Sequence, residues 1–183
     1  MSMTAEEKDG MTERLRSILE AHGRALKVEC LREDDQLNYE FRAWLGLGDR
    51  PVLDRVPRRA LDDSSVWAVK PEVDAMIHRL ASRLCHTENP VNDREMFLSS
   101  QLSVEQLIFG TLPEHGSISA YEVVERLLTS GFAVGQPASV AVRVNEVLDC
   151  LTLRQTYHRL YRGADGSYSR SRSEKTAERI EGT

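Results

Sequence analysis

From Pro137 onward, Val140, Val144, Val147, Leu148 and Leu151 recur at i, i+4, i+7, i+8 and i+11. That spacing lays one continuous apolar stripe along an α-helix, and Pro137 suits its first turn. A stripe of this kind folds only against other apolar surface, so the chain around it has to supply partners. Ser103-Val-Glu-Gln106 and Ser119-Ala-Tyr-Glu122, sixteen residues apart, each have the form of a capping box. In such a box the serine oxygen accepts from an orphan amide while the Gln or Glu side chain reaches back. Val104, Leu107, Ile108 and Leu112 follow the first box up to Pro113. Val123, Val124, Leu127 and Leu128 follow the second up to Gly131. Two short amphipathic helices are therefore expected ahead of the long one.

Beyond the third helix, Thr156 to Arg162 and Ser167 to Arg172 flank Gly163-Ala-Asp-Gly166, a tip that tolerates the positive φ values of a tight turn. The order helix, helix, helix, hairpin over residues 103–172 resembles the winged helix-turn-helix superfamily. The likeness is one of pattern and rests on no family-specific motif. It implies that Pro137 to Leu153 takes the recognition-helix position and that the hairpin is the wing. It further implies a double-stranded DNA partner, with the helix in the major groove and the wing on backbone or minor groove.

The residues fit the wing role better than the helix role. Opposite the apolar stripe, a 100° wheel places Ala138, Val142, Asn145, Glu146 and Asp149, with Ser139 and Arg143 at the edge. Asn145 has the groups to read adenine, and Arg143 those to read guanine or bind phosphate. Glu146 and Asp149 would face a polyanion. Arg154, His158, Arg159, Arg162, Arg170 and Arg172 lie within nineteen residues, opposed only by Asp165, and Tyr157, Tyr161 and Tyr168 are interleaved. The expected nucleic-acid-binding set is therefore Ser139, Arg143, Asn145, Arg154, His158, Arg159, Arg162, Arg170 and Arg172. The leading expectation is a DNA-binding protein, a transcriptional regulator or accessory nucleoprotein factor, that contacts DNA mainly through a basic wing. The alternative is a protein-interaction subunit of a larger nucleoprotein complex, which suits Val142, Glu146 and Asp149 on the helix face. Single-stranded or RNA binding through the wing tyrosines is a third reading.

The fold class expected is α+β, mostly helical, with a helix-and-hairpin part ahead of the winged helix. Residues 1–10 read as a disordered leader, 11–98 as an N-terminal α+β region for dimerisation or partner docking, 99–172 as the winged-helix domain and 173–183 as a polar tail. A first helix from Thr12 to His22, capped by Thr12 and stopped by Gly23, carries Leu15, Ile18 and Leu19. Leu26, Val28 and Cys30, then Leu37, Tyr39 and Phe41, alternate with polar residues around Glu33-Asp-Asp35. This favours a hairpin, although these residues also tolerate a helix. Gly46 to Ser65 reads as a linker, with Arg55, Arg58 and Arg59 as loop charges or phosphate contacts. Val66 to Val69 is a short strand or the approach to a helix. From Pro71, Val73, Met76, Ile77, Leu80 and Leu84 mark an amphipathic helix to about Cys85, and Asn89-Pro90 breaks the chain after it.

The net charge of −5 argues against a protein that coats nucleic acid without specificity. Cys30, Cys85 and Cys150 are dispersed, as in a reduced cytoplasmic protein, and neither a secretory h-region nor a membrane-spanning run occurs. His78 and His86 lie eight residues apart, a poor helical chelating geometry, so no metal and no cofactor is expected. Asp34-Asp35 and Asp62-Asp63 sit where turns belong, and no hydrolase, zincin or P-loop motif is present. No enzyme is indicated.

Overall fold

The structure is a computed structural model that describes residues 3–46, 51–62, 70–85, 90–99, 101–155 and 159–170. It is α+β and mainly helical. The first helix, α1 (Ala5–Ala21), starts seven residues before Thr12, so most of the expected leader is helix. Thr4 is the cap: its hydroxyl accepts from the Glu7 amide and the Glu7 carboxylate accepts from the Thr4 amide. Thr12 has a different task. Its hydroxyl donates to Lys8 O and accepts from the Cys30 amide, at 2.8 and 2.9 Å, fastening the helix to the sheet.

The expected hairpin forms. Strands β1 (Lys27–Glu33) and β2 (Asn38–Trp44) pair antiparallel and turn inward Val28, Cys30, Tyr39, Phe41 and Ala43. The Asp34 carboxylate closes the turn by accepting from the amides of Gln36 and Asn38, which holds its pKa below the usual carboxylate value. The expected linker is not one throughout. Residues Val52–Pro57 form β3, the third strand of the sheet, and Arg59–Asp62 form a short helix, α2. The strand carries an acid where an apolar residue would sit in a plain amphipathic strand. Asp54 is nevertheless shielded, because Arg79 and Arg83 of α3 (Pro71–Leu84) reach it at 2.8 and 3.7 Å. That helix begins at Pro71 as expected and buries Val73, Met76, Ile77 and Leu80. Each such side chain contributes about 1.5–3 kcal/mol by leaving water.

After Pro90 the chain does not simply break. It forms α4 (Pro90–Met96), then α5 (Val104–Thr111), α6 (Ala120–Thr129) and α7 (Pro137–Arg154). Both capping boxes are present at Ser103/Gln106 and Ser119/Glu122. The α7 stripe is buried from Val140 to Leu151. The terminal hairpin is β4 (Tyr161–Arg162) with β5 (Tyr168–Ser169), shorter than the flanks expected from the sequence. Ile118, just ahead of α6, bridges to Tyr168 and adds a third extended segment to that hairpin.

Two apolar clusters result. One spans Leu15 to Cys85 and takes in Cys150 and Leu153; the other spans Phe97 to Tyr168. Helix α7 serves both. The expectations for residues 47–50 and 63–65 of the linker, for Val66 to Val69, for His86 and Asn89, and for the tail 173–183 fall outside the described residues. Among those residues no helix is long and apolar enough to cross a membrane, and no three His, Cys, Asp or Glu side chains group as metal ligands.

Candidate interaction surfaces

Helix α7 emerges from the loop Gly131–Gln136 and is fixed by its stripe, which determines what its other faces present. Ser139 is exposed in the first turn. Arg143 is not: its Nε and Nη2 donate to the two Asp93 oxygens on α4, both at 2.8 Å, and Nη1 donates to Glu146 at 3.1 Å. These partners raise its pKa. Asn145 donates to Ala141 O in the preceding turn, at 2.9 Å. Asp149, placed on the outer face by the wheel, is in fact buried. Its carboxylate accepts from the Tyr168 hydroxyl, because the hairpin folds over the C-terminal half of the helix. Burial first, and the Asp149 charge second, push the Tyr168 phenol upward.

The arginines of the expected wing divide in the same way. Arg154 donates to Glu105 at 2.7 Å and to Cys85 O at 3.0 Å, tying the end of α7 to α5 and α3. Close to it, Cys85 and Cys150 share a buried thiol hydrogen bond that, with burial, raises Cys150. Arg170 donates to Phe109 O at 2.6 Å and lies over the Phe109 ring, 4.5 Å from its centre. Arg162 is half-buried beside the Tyr168 ring. Arg159 is exposed and meets no acid among the described residues. His158, Arg172 and Tyr157 lie outside those residues. The loop arginines are likewise engaged: Arg55 with Asp34 and Glu40, Arg58 with Glu33, and Arg59 with Glu72.

Two surfaces went unnoticed in the sequence. The first is apolar. Phe97 and Ala133 form an isolated antiparallel bridge, with Leu98 N–H donating to Phe132 O and Val134 N–H donating to Met96 O, both at 2.9 Å. Phe97 and Ala133 are buried, whereas Leu98, Phe132 and Val134 are 53%, 46% and 41% exposed. The outward row of this small ladder is therefore apolar where a solvated strand is ordinarily polar. Val142 on α7 is exposed to a similar degree, at 58%.

The second surface is a cleft of about 440 Å³ between the turn of the β4–β5 hairpin and the N-terminal sheet. Arg16, Glu20, Arg24, Lys27, Trp44, Arg162 and the Gly163–Gly166 turn are in its wall. It exists because the β4–β5 hairpin docks on the end of α1: Arg162 N–H donates to Gly23 O at 3.0 Å. Arg24 also ties the end of α1 to the end of α7, its Nη1 donating to Thr152 O and Leu153 O at 2.8 and 3.0 Å. These residues are scattered along the chain, and the docking of hairpin on helix brings them together. The chain matches no protein-family model, no curated protein and no solved structure.

Proposed function

We propose that the C-terminal part is a winged-helix module and that the chain acts as the interaction subunit of a larger nucleoprotein assembly, docking a protein partner on Leu98, Phe132 and Val134. The observation that carries this reading is that outward apolar row on the Phe97–Ala133 ladder. Contiguous exposed apolar surface is characteristic of interaction sites. The winged-helix assignment draws on the helix, helix, helix, hairpin order and on Ile118, which pairs with the hairpin as a strand ahead of the second helix.

Charge distribution favours docking over groove reading. Arg143 and Arg154 are held by Asp93 and Glu105. The outer face of α7 that remains is Ala138, Ser139 and Val142, with the Glu146 carboxylate, 39% exposed, as its charge. A helix that reads a groove ordinarily brings hydrogen-bonding and cationic side chains to it.

Direct duplex contact by the wing is the second reading, and the exposure of Arg159 favours it. Two experiments separate the readings. Tagged chain recovered from native cells is expected to carry a stoichiometric protein partner that Leu98→Asp/Phe132→Asp releases. Gel shift on duplex DNA at low salt is expected to show none of the affinity that Arg159→Ala/Arg162→Ala would remove. A duplex shift abolished by that arginine pair, with no partner recovered, would transfer the function to the wing.

A further inference from the structure

We infer that the cleft between the wing turn and the N-terminal sheet is a binding site for a small phosphate-class oxyanion, held between Lys27 and Arg162. The site goes beyond the docking surface and shares no residue with it.

Four cations, Arg16, Arg24, Lys27 and Arg162, line this cleft against one carboxylate, Glu20. Like charges gathered in a low-dielectric recess repel one another and concentrate anions from solution. Elsewhere this chain pairs its arginines with acids, as at Arg143–Asp93, Arg154–Glu105 and Arg79–Asp54. Here the pairing is incomplete, for of the four cations Arg16 has a close acid, Glu13 at 2.6 Å. Lys27 reaches the Gly46 carbonyl, at 3.1 Å, and no acid among the described residues. Arg24 has Asp74 no closer than 3.9 Å, and burial lowers its pKa.

Hydrogen bonding gives an independent indication. The Nε atoms of Arg24 and Arg162, like that of Arg170 outside the cleft, are buried and have no hydrogen-bond partner among the described residues. Buried guanidinium N–H groups without an acceptor are uncommon in a finished structure. An oxyanion in this cleft supplies acceptors and negative charge together, and the arginine fork matches a phosphate well. Arg162 is placed to respond, because its guanidinium rests 5.9 Å from the Tyr168 ring centre, a loose contact that a charged acceptor displaces readily.

The remaining wall shapes the ligand. Leu26, Val28 and Trp44 give the cleft an apolar side, and the volume lies within the range of small-molecule sites. A planar group attached to the phosphate has an indole to rest on. The phosphate can come from a free nucleotide or from a nucleic-acid strand, and the two sources differ in length rather than in the group recognised.

The test is titration of the full chain with pyrophosphate, a nucleoside monophosphate and a short single-stranded oligonucleotide, each at constant ionic strength. Trp44 fluorescence is the readout, with Trp44→Phe defining the signal. Saturable binding of pyrophosphate or the monophosphate is expected, weakened about tenfold or more by Lys27→Gln, the loss of one charge-assisted contact. Glu20→Gln is expected to tighten binding, a gain that a misfolded variant cannot produce. An oligonucleotide binding more tightly than the monophosphate, still dependent on Lys27, identifies a strand phosphate as the source. Failure of all three ligands to saturate, or saturation indifferent to both Lys27→Gln and Glu20→Gln, overturns the site. Neither result bears on partner docking through Leu98 and Phe132.

Discussion

The hydroxyl of Tyr168, on β5 of the terminal hairpin, donates to the carboxylate of Asp149 on α7, and both side chains are buried. This bond closes the hairpin over the helix and turns an acid expected on the surface into part of the interior. Tyr168→Phe removes the donor and leaves that carboxylate short of a partner, at a cost of about 1–3 kcal/mol, readable as a lower urea midpoint. The bond also sets a pH limit. Burial and Asp149 raise the Tyr168 phenol above its ordinary value, so the fold prefers the neutral form. Its contribution is complete below the unfolded phenol value of about 10 and is lost as pH rises beyond it. Thermal melts from pH 8 to 11 are expected to fall more steeply for the wild type than for Tyr168→Phe.

Arg143 and Asp93 form a two-bond ion pair whose side chains are only 14% and 10% exposed. Removing one partner leaves the other charge buried and alone, a loss of about 3–5 kcal/mol. Arg143→Ala and Asp93→Ala are therefore each expected to lower Tm strongly, and the double variant to lose much less than their sum. A nucleic-acid contact would behave differently: Arg143→Ala would weaken DNA binding and leave Tm in place.

Gly23 sits where the end of the first helix meets the β4–β5 hairpin. Its φ is +62°, and a β-carbon there would come within 2.9 Å of Tyr161 Cβ. Gly23→Ala meets both obstacles. The left-handed backbone alone costs about 1–2 kcal/mol, and the steric contact pushes the hairpin outward. Hydrogen exchange at the Arg162 amide, which donates to Gly23 O, is expected to accelerate well beyond the change in global stability.

Glu7 and Glu122 reach back to Thr4 and Ser119 in their capping boxes, and those bonds hold both carboxyls below the usual value. A depressed pKa means that the stabilisation is whole above the unfolded value near ~4.3 and disappears as pH falls through the lower folded one. Ser119→Ala is expected to lose about 1 kcal/mol at neutral pH and to flatten the decline of Tm between pH 5 and 3. An unaltered acid limb would show that the box at α6 does not contribute.

Much of the C-terminal fold is legible because its signals are local. A serine followed three residues later by Gln or Glu marks a helix start, and the Val140 to Leu151 stripe requires a helix whatever surrounds it. The failures arise where distant residues intervene. β3 is concealed because Asp54 occupies an inward position, made tolerable by Arg79 from α3. The beginning of α1 is concealed because its cap, Thr4 with Glu7, precedes any apolar repeat. A wheel drawn on α7 alone exposes Asp149, since nothing in that helix announces the Tyr168 that covers it. The candidate sites obey the same rule. The expected basic set rests on proximity in sequence, yet Asp93, Glu105 and Phe109 O engage Arg143, Arg154 and Arg170. The cleft that gathers Lys27, Arg24 and Arg162 has no counterpart in any short stretch of chain.

The most direct test of the docking reading is the composition of the complex recovered on tagged full-length chain from native cells, compared with Leu98→Asp/Phe132→Asp. Both substituted side chains are exposed, so the variant is expected to keep the wild-type Tm. The prediction is one protein partner in stoichiometric amount on the wild type and none on the variant. A wild-type chain that comes through alone, or a partner retained equally by the variant, would contradict it.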